Sequence, residues 1–303
     1  MQQVQGVVPP PEGSPDAGVA WHYGDPLGEQ RRLESGVGFV DLSHRPVVQV
    51  VGADRLEWLH TLTSQHLSAL PSGTWTQALV LSPNGHVEHH LTLVDDGEMT
   101  LAHVEPGTAD ALIQYLDSMK FWSKVEVSLR DDIGVVWRPG GNGMDGTDSY
   151  EFVDRAAIAQ VAEEPAGTWA FEALRVAAGR PRLGFETDHR TIPAEVGWIE
   201  VAVHLDKGCY RGQETVARVH NLGRPPRRLV RLHLDGSGDT LPERGDALTL
   251  DGRTVGFVGT VAQHHELGPI ALGLVKRQVP DDASVQTSAG QPVSIEPTAP
   301  FPS

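Results

Sequence analysis

The sequence predicts an α+β fold assembled from separate units, on three observations. Residues 46–132 read in the order β-α-β-β-α-β, residues from about 229 onward read as short strands separated by turns, and a length of 303 residues favours two or three packed domains over one.

Residues 46–51 are β-branched and end at Gly52, the pattern of a strand. A helix follows over 53–62, because Leu56, Leu59 and Leu62 recur at one-turn spacing and Asp54 sits near the positive end of the helix dipole. Residues 75–81 and 86–94 flank Pro83-Asn84-Gly85 and form a hairpin. Asp95-Asp96-Gly97 then turns the chain into a strand ending near His103. A second helix over 106–119 gathers Ala109, Leu112, Ile113, Leu116 and Met119 on one face, and a strand over 124–129 completes a ferredoxin-like unit. Another strand spans 133–137, and a helix over 169–178 is stopped by Gly179 and Pro181. The segment 140–148 holds four glycines. It lacks the Lys-Ser/Thr ending of a phosphate loop and the spacing of a dinucleotide fingerprint, so it reads as a hairpin connection. Strands over 229–234, 247–250, 253–261 and 270–275, with the hairpin signal Asp251-Gly252, predict a small C-terminal β-barrel or sandwich. Residues 1–18, with Pro9, Pro10, Pro11 and Pro15 and no basic residue, predict a disordered lead-in, and residues 298–303 a flexible tail.

Hydrophobic residues make up 39% of the chain, and no apolar run approaches the roughly 20 residues of a membrane span, so no membrane crossing is expected. Cys209 is the only cysteine. That excludes an intrachain disulfide and an all-cysteine metal cage, and it fits a reducing, cytoplasmic setting. Forty acids against 24 bases give a net charge of -16, which disfavours non-specific attraction to nucleic acid or anionic lipid and argues against direct tRNA binding. One stretch departs from this average. Lys207, Arg211, Arg218, Arg224, Arg227, Arg228 and Arg231 face a single acid, Glu214, over 25 residues. Such an island fits an anionic ligand or partner; the alternative is solvated arginines on a surface loop.

Cys209 lies in Lys207-Gly208-Cys209-Tyr210-Arg211-Gly212-Gln213-Glu214. Two glycines let the backbone approach a ligand and two bases favour the thiolate, which is the setting of a reactive sulfur; the alternative is an inert core cysteine. His204 or His220 is a candidate base for a cysteine hydrolase, but the sequence supplies no third residue to orient either imidazole. His86, His89 and His90 invite a metal. On a strand, however, His86 and His90 share a face about 13 Å apart, too far for one ion, and these histidines, like His264-His265, read as structural or solvent-facing.

The octapeptide from Lys207 to Glu214 resembles the signature of the YgfZ family, a folate-binding branch of the glycine-cleavage T-protein superfamily. Similarity extends to Val51-Gly52-Ala53-Asp54-Arg55 with Trp58-Leu59, to Ser82-Pro83-Asn84-Gly85, to Glu172-Ala173-Leu174-Arg175 with Gly179, and to Pro193-Ala194-Glu195. The last set is also similar to the glycine-cleavage aminomethyltransferase, GcvT. The resemblance implies a GcvT-like three-domain architecture: a ferredoxin-like domain at 46–132, a discontinuous central folate-binding domain at 19–45 plus 133–226, and a small C-terminal β-barrel at 227–297. It places Glu195 on the pterin ring, where a carboxylate can accept from a ring N–H and an amino group in parallel. Without the resemblance, Glu195 reads as a surface glutamate. Lys207, Arg211 and Arg228 are the further candidate folate contacts. Aminomethyltransferases carry an aspartate at the second acidic position after the hairpin turn. Here the run is Gly85-His86-Val87-Glu88-His89-His90, and His90 aligns with that aspartate, replacing an acceptor-only anion by an imidazole.

What the resemblance implies is a tetrahydrofolate-binding accessory protein for iron-sulfur cluster assembly or repair, supporting cluster enzymes such as tRNA methylthiotransferases. In that reading Cys209 gives one thiolate to a transient cluster shared with an iron-sulfur carrier or scaffold protein, since one sulfur cannot hold a cluster that takes four. The competing expectation is a folate-dependent aminomethyl- or methyltransferase of the T-protein type. His90 stands against it.

Overall fold

A computed structural model of the chain describes residues 6–140, 149–236 and 240–297. The glycine-rich connection expected at 140–148 and the tail at 298–303 fall almost wholly outside these residues. The lead-in is a correction. Val8 pairs with His22 in an isolated bridge, and Asp16 is buried against Arg182 and His44, so a salt bridge holds down a segment whose composition predicts disorder.

Helix α1 (Pro26–Glu34), absent from the sequence reading, starts on Asp25, whose side chain accepts from Gly28 N, with Pro26 in the first turn. Strand β1 (Phe39–Asp41) precedes the ferredoxin-like unit: β2 (Val47–Val51), α2 (Arg55–Leu62), β3 (Trp75–Leu81), β4 (Val87–Asp95), β5 (Met99–His103), α3 (Ala109–Ser118) and β6 (Glu126–Leu129). The sheet order is β3-β4-β5-β2-β6, antiparallel throughout. Strands β4, β5, β2 and β6 keep the ferredoxin-like order, and β3 is a fifth strand at the sheet edge that the expected β-α-β-β-α-β order does not count. Leu59, Leu112 and Leu116, all fully buried, pack the helices onto one face of the sheet.

After the unit come β7 (Ile133–Trp137), β8 (Tyr150–Asp154), β9 (Pro165–Ala166) and α4 (Thr168–Ala177). Strand β1 pairs antiparallel with β7 and parallel with β9, so chain from before and after the ferredoxin-like unit shares one sheet. A 3-10 turn (Pro193–Glu195), α5 (Ile199–Ala202) and α6 (Gln213–Leu222) lead to a closed six-stranded barrel. Its strands are β10 (Arg227–Leu234), β11 (Ala247–Leu250), β12 (Arg253–His264), β13 (Gly268–Lys276), β14 (Val285–Thr287) and β15 (Pro292–Pro297). The Asp251-Gly252 turn has both residues at positive φ, as its sequence predicts. The last two strands close the barrel where the sequence reading ended at β13. A shared core of Leu79, Val176, Trp198, Val216, Leu229 and Leu272 joins all three units. Among the described residues, no helix is long and apolar enough to cross a membrane.

Candidate functional site

The ferredoxin-like unit and the central chain segments on either side of it meet around a cavity of about 90 Å³. One wall is the sheet face bearing Gln77, His90 and His103, and the other is built from Trp137, Phe171 and Trp198. His90 reaches it by regular alternation with Thr92, opposite Leu91 and Leu93. The β3/β4 register shifts only between Val80 and Leu81, leaving Glu88 as an extra residue, so Val87 joins His90 in pointing to the central core while His89 turns to the helical side. His90 stacks on Trp198 with ring centroids 4.5 Å apart, and its Nε2 bonds the Gln77 amide oxygen at 2.6 Å.

Behind this wall lies a buried ionic network. Arg182 donates to Glu105 at 2.7 and 2.9 Å and to Asp16 at 2.9 Å, and contacts Glu172 at 3.1 Å. Arg175 donates to Glu172, Glu186 and Thr260. Burial pushes the Glu105 carboxyl up, but Arg182 and Arg45 win and hold it at about 2. The Glu172-Arg175 motif therefore serves this network. Three polar atoms on cavity-lining residues are left over: Arg45 Nε, His103 Nε2 and Trp137 Nε1 are buried without a hydrogen-bond partner. Each costs about 1–3 kcal/mol if it stays dry. Sequence reasoning missed these three, along with Gln77 and Trp198, because they are scattered over 150 residues and carry no local motif.

The cysteine loop is positioned by its neighbours. Gly212, left-handed at φ 83°, caps α6, and a β-carbon there would lie 2.7 Å from the Ser82 carbonyl oxygen. The hairpin turn Ser82-Pro83-Asn84-Gly85 and the motif thus interlock. Tyr210 is buried in the central core, which pushes its hydroxyl to about 12. Lys207 is a correction to the reading of a free base beside the thiol. Its Nζ donates to the carbonyl oxygens of His60, Thr63 (2.6 Å) and Gln65 (3.0 Å), clasping the end of α2. Burial lowers its pKa to about 8, against the opposing charge of Glu57. Gln213 donates to Lys207 O at 3.4 Å, while Gly208 and Glu214 are exposed. Cys209 is exposed, and among the described residues no hydrogen bond joins it to His204 or His220. The structure supports no cysteine-histidine dyad.

The basic island is largely neutralised in three dimensions. Arg211 meets Glu88 at 3.2 Å, Arg228 pairs with Asp281, and Arg231 with Glu296. Arg227 binds Asp188 at 2.7 Å and Glu195 at 2.8 Å. Among the described residues only Arg218 and Arg224 of the seven bases have no partner and stand exposed. Glu195 is 2% exposed, not a surface residue. Both of its oxygens accept from Arg227, and one also accepts from Ile192 N, which fixes the turn carrying Trp198. Glu195 does not line the His90 cavity. With Arg228 it lines a separate groove of about 410 Å³.

On the far side, Glu34 at the end of α1 meets His264 and His265, with ligand atoms within 4.8 Å of one another. His264 Nδ1 accepts from Glu266 N and Leu267 N at 3.2 Å each, so neutral His264 carries its proton on Nε2, which faces Glu34. A metal would need that nitrogen bare. The cluster is a clasp between α1 and the barrel, in keeping with a structural role for these histidines.

The fold defines the class. No family model matches the chain. Its structure superposes on the crystal structure of the glycine cleavage system aminomethyltransferase T from Bartonella henselae with a TM-score of 0.82, over 98% of this chain and 95% of that one, at 18% identity. The chain therefore has the GcvT-like fold. In sequence it is 27% identical over 297 residues to an Arabidopsis thaliana protein provisionally named a chloroplastic transferase, covering 81% of this chain and 67% of that protein. It is also 26% identical over 292 residues to an aminomethyltransferase of Rubrobacter xylanophilus (81% and 77%) and 31% identical over 214 residues to one of Geobacillus kaustophilus (65% and 58%).

Proposed function

We propose that the central cavity binds a tetrahydrofolate and that the protein retains this ligand without transferring an aminomethyl group to it. The observation that carries the reading is the cavity's composition. Among the described residues Glu105 is its sole lining carboxylate, and that group is held ionised by Arg182 and Arg45. His90, aligned with the aspartate of aminomethyltransferases, is committed to Trp198 and Gln77. The cavity suits a flat, polar heterocycle, but among its described lining residues no uncommitted carboxylate is there to orient or deprotonate a folate nitrogen. The lining fits a folate: the stacked His90-Trp198 pair offers a planar surface, and Arg45, His103 and Trp137 carry unmatched polar atoms. When bound, tetrahydrofolate would supply a nitrogen able to carry one-carbon units. The chain's own residues would orient the ring and exclude water. Glu195 acts at one remove, holding Arg227 and the turn that sets Trp198.

The biological role proposed for such a protein is support of iron-sulfur cluster assembly or repair. Cys209 is exposed and belongs to no group of three metal-ligating side chains among the described residues, so its sulfur can only complete a cluster held mainly by a carrier or scaffold protein. The competing reading, aminomethyl transfer, is favoured by the names of the curated relatives. Anaerobic calorimetry with tetrahydrofolate, paired with an assay for methylene-tetrahydrofolate from an aminomethyl donor, separates the two. Saturable binding without product is expected; catalytic product formation would overturn the accessory role. In cells, Cys209→Ala should lower cluster-dependent enzyme activities while leaving the fold intact, and unchanged activities would remove the thiol from the proposal.

A further inference from the structure

We propose that Arg45, His103 and Trp137 form a specificity subsite in the central cavity that reads an amide-like edge of the ligand, a ring carbonyl oxygen beside a ring N–H. The inference rests on the folate reading and deepens it. The three residues are 4%, 4% and 7% exposed, all line the same cavity, and each carries a polar atom with no hydrogen-bond partner. They are neighbours. The Arg45 guanidinium carbon lies 5.3 Å from the centre of the Phe171 ring, and Trp137 meets the same ring edge-on at 5.4 Å. Tyr150, paired with Trp137 across β7 and β8, lies 4.6 Å from the His103 ring.

The chemistry of the three atoms selects the ligand edge. Arginine Nε and indole Nε1 are donors only, so both require an acceptor. Arg45 is also the one buried arginine of this wall whose charge is poorly met. Arg175 and Arg182 bind carboxylates within 2.7 Å, whereas Arg45 reaches Glu105 at 3.8 Å. His103 differs in kind. Complete burial, with Arg45 nearby, keeps it neutral, and a neutral imidazole can present a bare Nε2 to a ligand N–H. Two fixed donors and one adaptable imidazole match C=O next to N–H, the pyrimidine edge of a 4-oxopteridin. They oppose a 4-aminopteridin, which would turn an amino group toward the two donors.

The test compares tetrahydrofolate with its fully reduced 4-amino-4-deoxy analogue by anaerobic calorimetry, with quenching of tryptophan fluorescence as a second readout. The wild-type protein should prefer the 4-oxo ligand by roughly tenfold or more. Trp137→Phe keeps a ring against Phe171 and deletes only the N–H. It should weaken the 4-oxo ligand roughly 5- to 30-fold and change the 4-amino analogue by no more than about twofold. Arg45→Lys, which removes the Nε donor but keeps the charge, should act in the same direction, and melting curves verify that both variants are folded. A preference that survives both substitutions, or none in the wild type, overturns the subsite and leaves folate binding standing. If the wild type binds neither compound, the folate reading falls and the subsite with it.

Discussion

At Gly212 the backbone adopts φ 83°, and a β-carbon would press on the Ser82 carbonyl oxygen at 2.7 Å and on Gly85 Cα at 2.9 Å. Gly208, four residues earlier in the same motif, has no heavy atom within 4 Å of the corresponding position. The two glycines therefore differ in role although the sequence treats them alike. Gly212→Ala should destabilise the protein by about 1–3 kcal/mol in urea unfolding, and Gly208→Ala by less than about 0.5 kcal/mol. Equal effects would mean that the loop, not the contact with the hairpin turn, sets the strain. Lys207 carries a similar lesson. Three carbonyl oxygens depend on its ammonium, so Lys207→Met should cost about 2–4 kcal/mol, and its main readout should be stability and not thiol reactivity toward an alkylating reagent.

Among the elements, α1 shows how a helix can be placed by one buried acid. Glu29 is 1% exposed and accepts from Tyr23 N at 2.7 Å and from Gly167 N at 2.8 Å, joining the N-terminal segment to the turn before α4. Glu29→Ala would orphan the buried Gly167 donor and the half-buried Tyr23 donor and should lower the unfolding free energy by about 2–4 kcal/mol, with added hydrogen exchange at Tyr23 and Gly167. Protection unchanged at those two amides would show that the helix docks by other contacts. Strand β4 makes a related point about reading faces. Its histidines sit in a run that alternates well on paper, yet one extra residue at the bulge puts Val87, not His86, on the face that His90 shares. Helix α6 is absent from the sequence reading, although Gly212 and Gly223 bracket it and Val216 and Val219 recur at one-turn spacing.

For the whole molecule, the network of Asp16, Glu105, Glu172, Arg175, Arg182 and Glu186 ties the N-terminal segment, the ferredoxin-like unit and the central domain together. Its pH dependence follows from the sign of the shift. Glu105 falls from 4.5 to about 2 in the folded state, and Asp16 is lowered as well, so their stabilisation is complete above pH ~4.5 and is lost as the pH falls toward 2. Glu105 alone accounts for roughly 3 kcal/mol of that change. Denaturant unfolding at pH 6 and pH 2.5 should therefore show the gap between wild type and Glu105→Gln narrowing on acidification. A gap independent of pH would remove Glu105 from the acid-labile set.

By itself the sequence determined what depends on near neighbours. The strand and helix periods of the ferredoxin-like unit, the Asp251-Gly252 hairpin, the barrel's first four strands and the single-cysteine motif are all set within a few residues of chain. Tertiary structure decided whatever needed a partner from far away. Glu88, Asp188, Glu195, Asp281 and Glu296 converge from distant parts of the chain on Arg211, Arg227, Arg228 and Arg231 to quench a basic island that looks free on the page, and Glu195 goes to Arg227 in place of open solvent. The cavity is the extreme case. Its unpartnered polar atoms belong to residues 45, 103 and 137, which no local pattern connects, and only the closing of two sheets against α4 brings these residues to one cavity. Charge pairing and cavity lining are long-range properties of the folded chain, because they depend on which side chains burial brings within a few ångströms of one another.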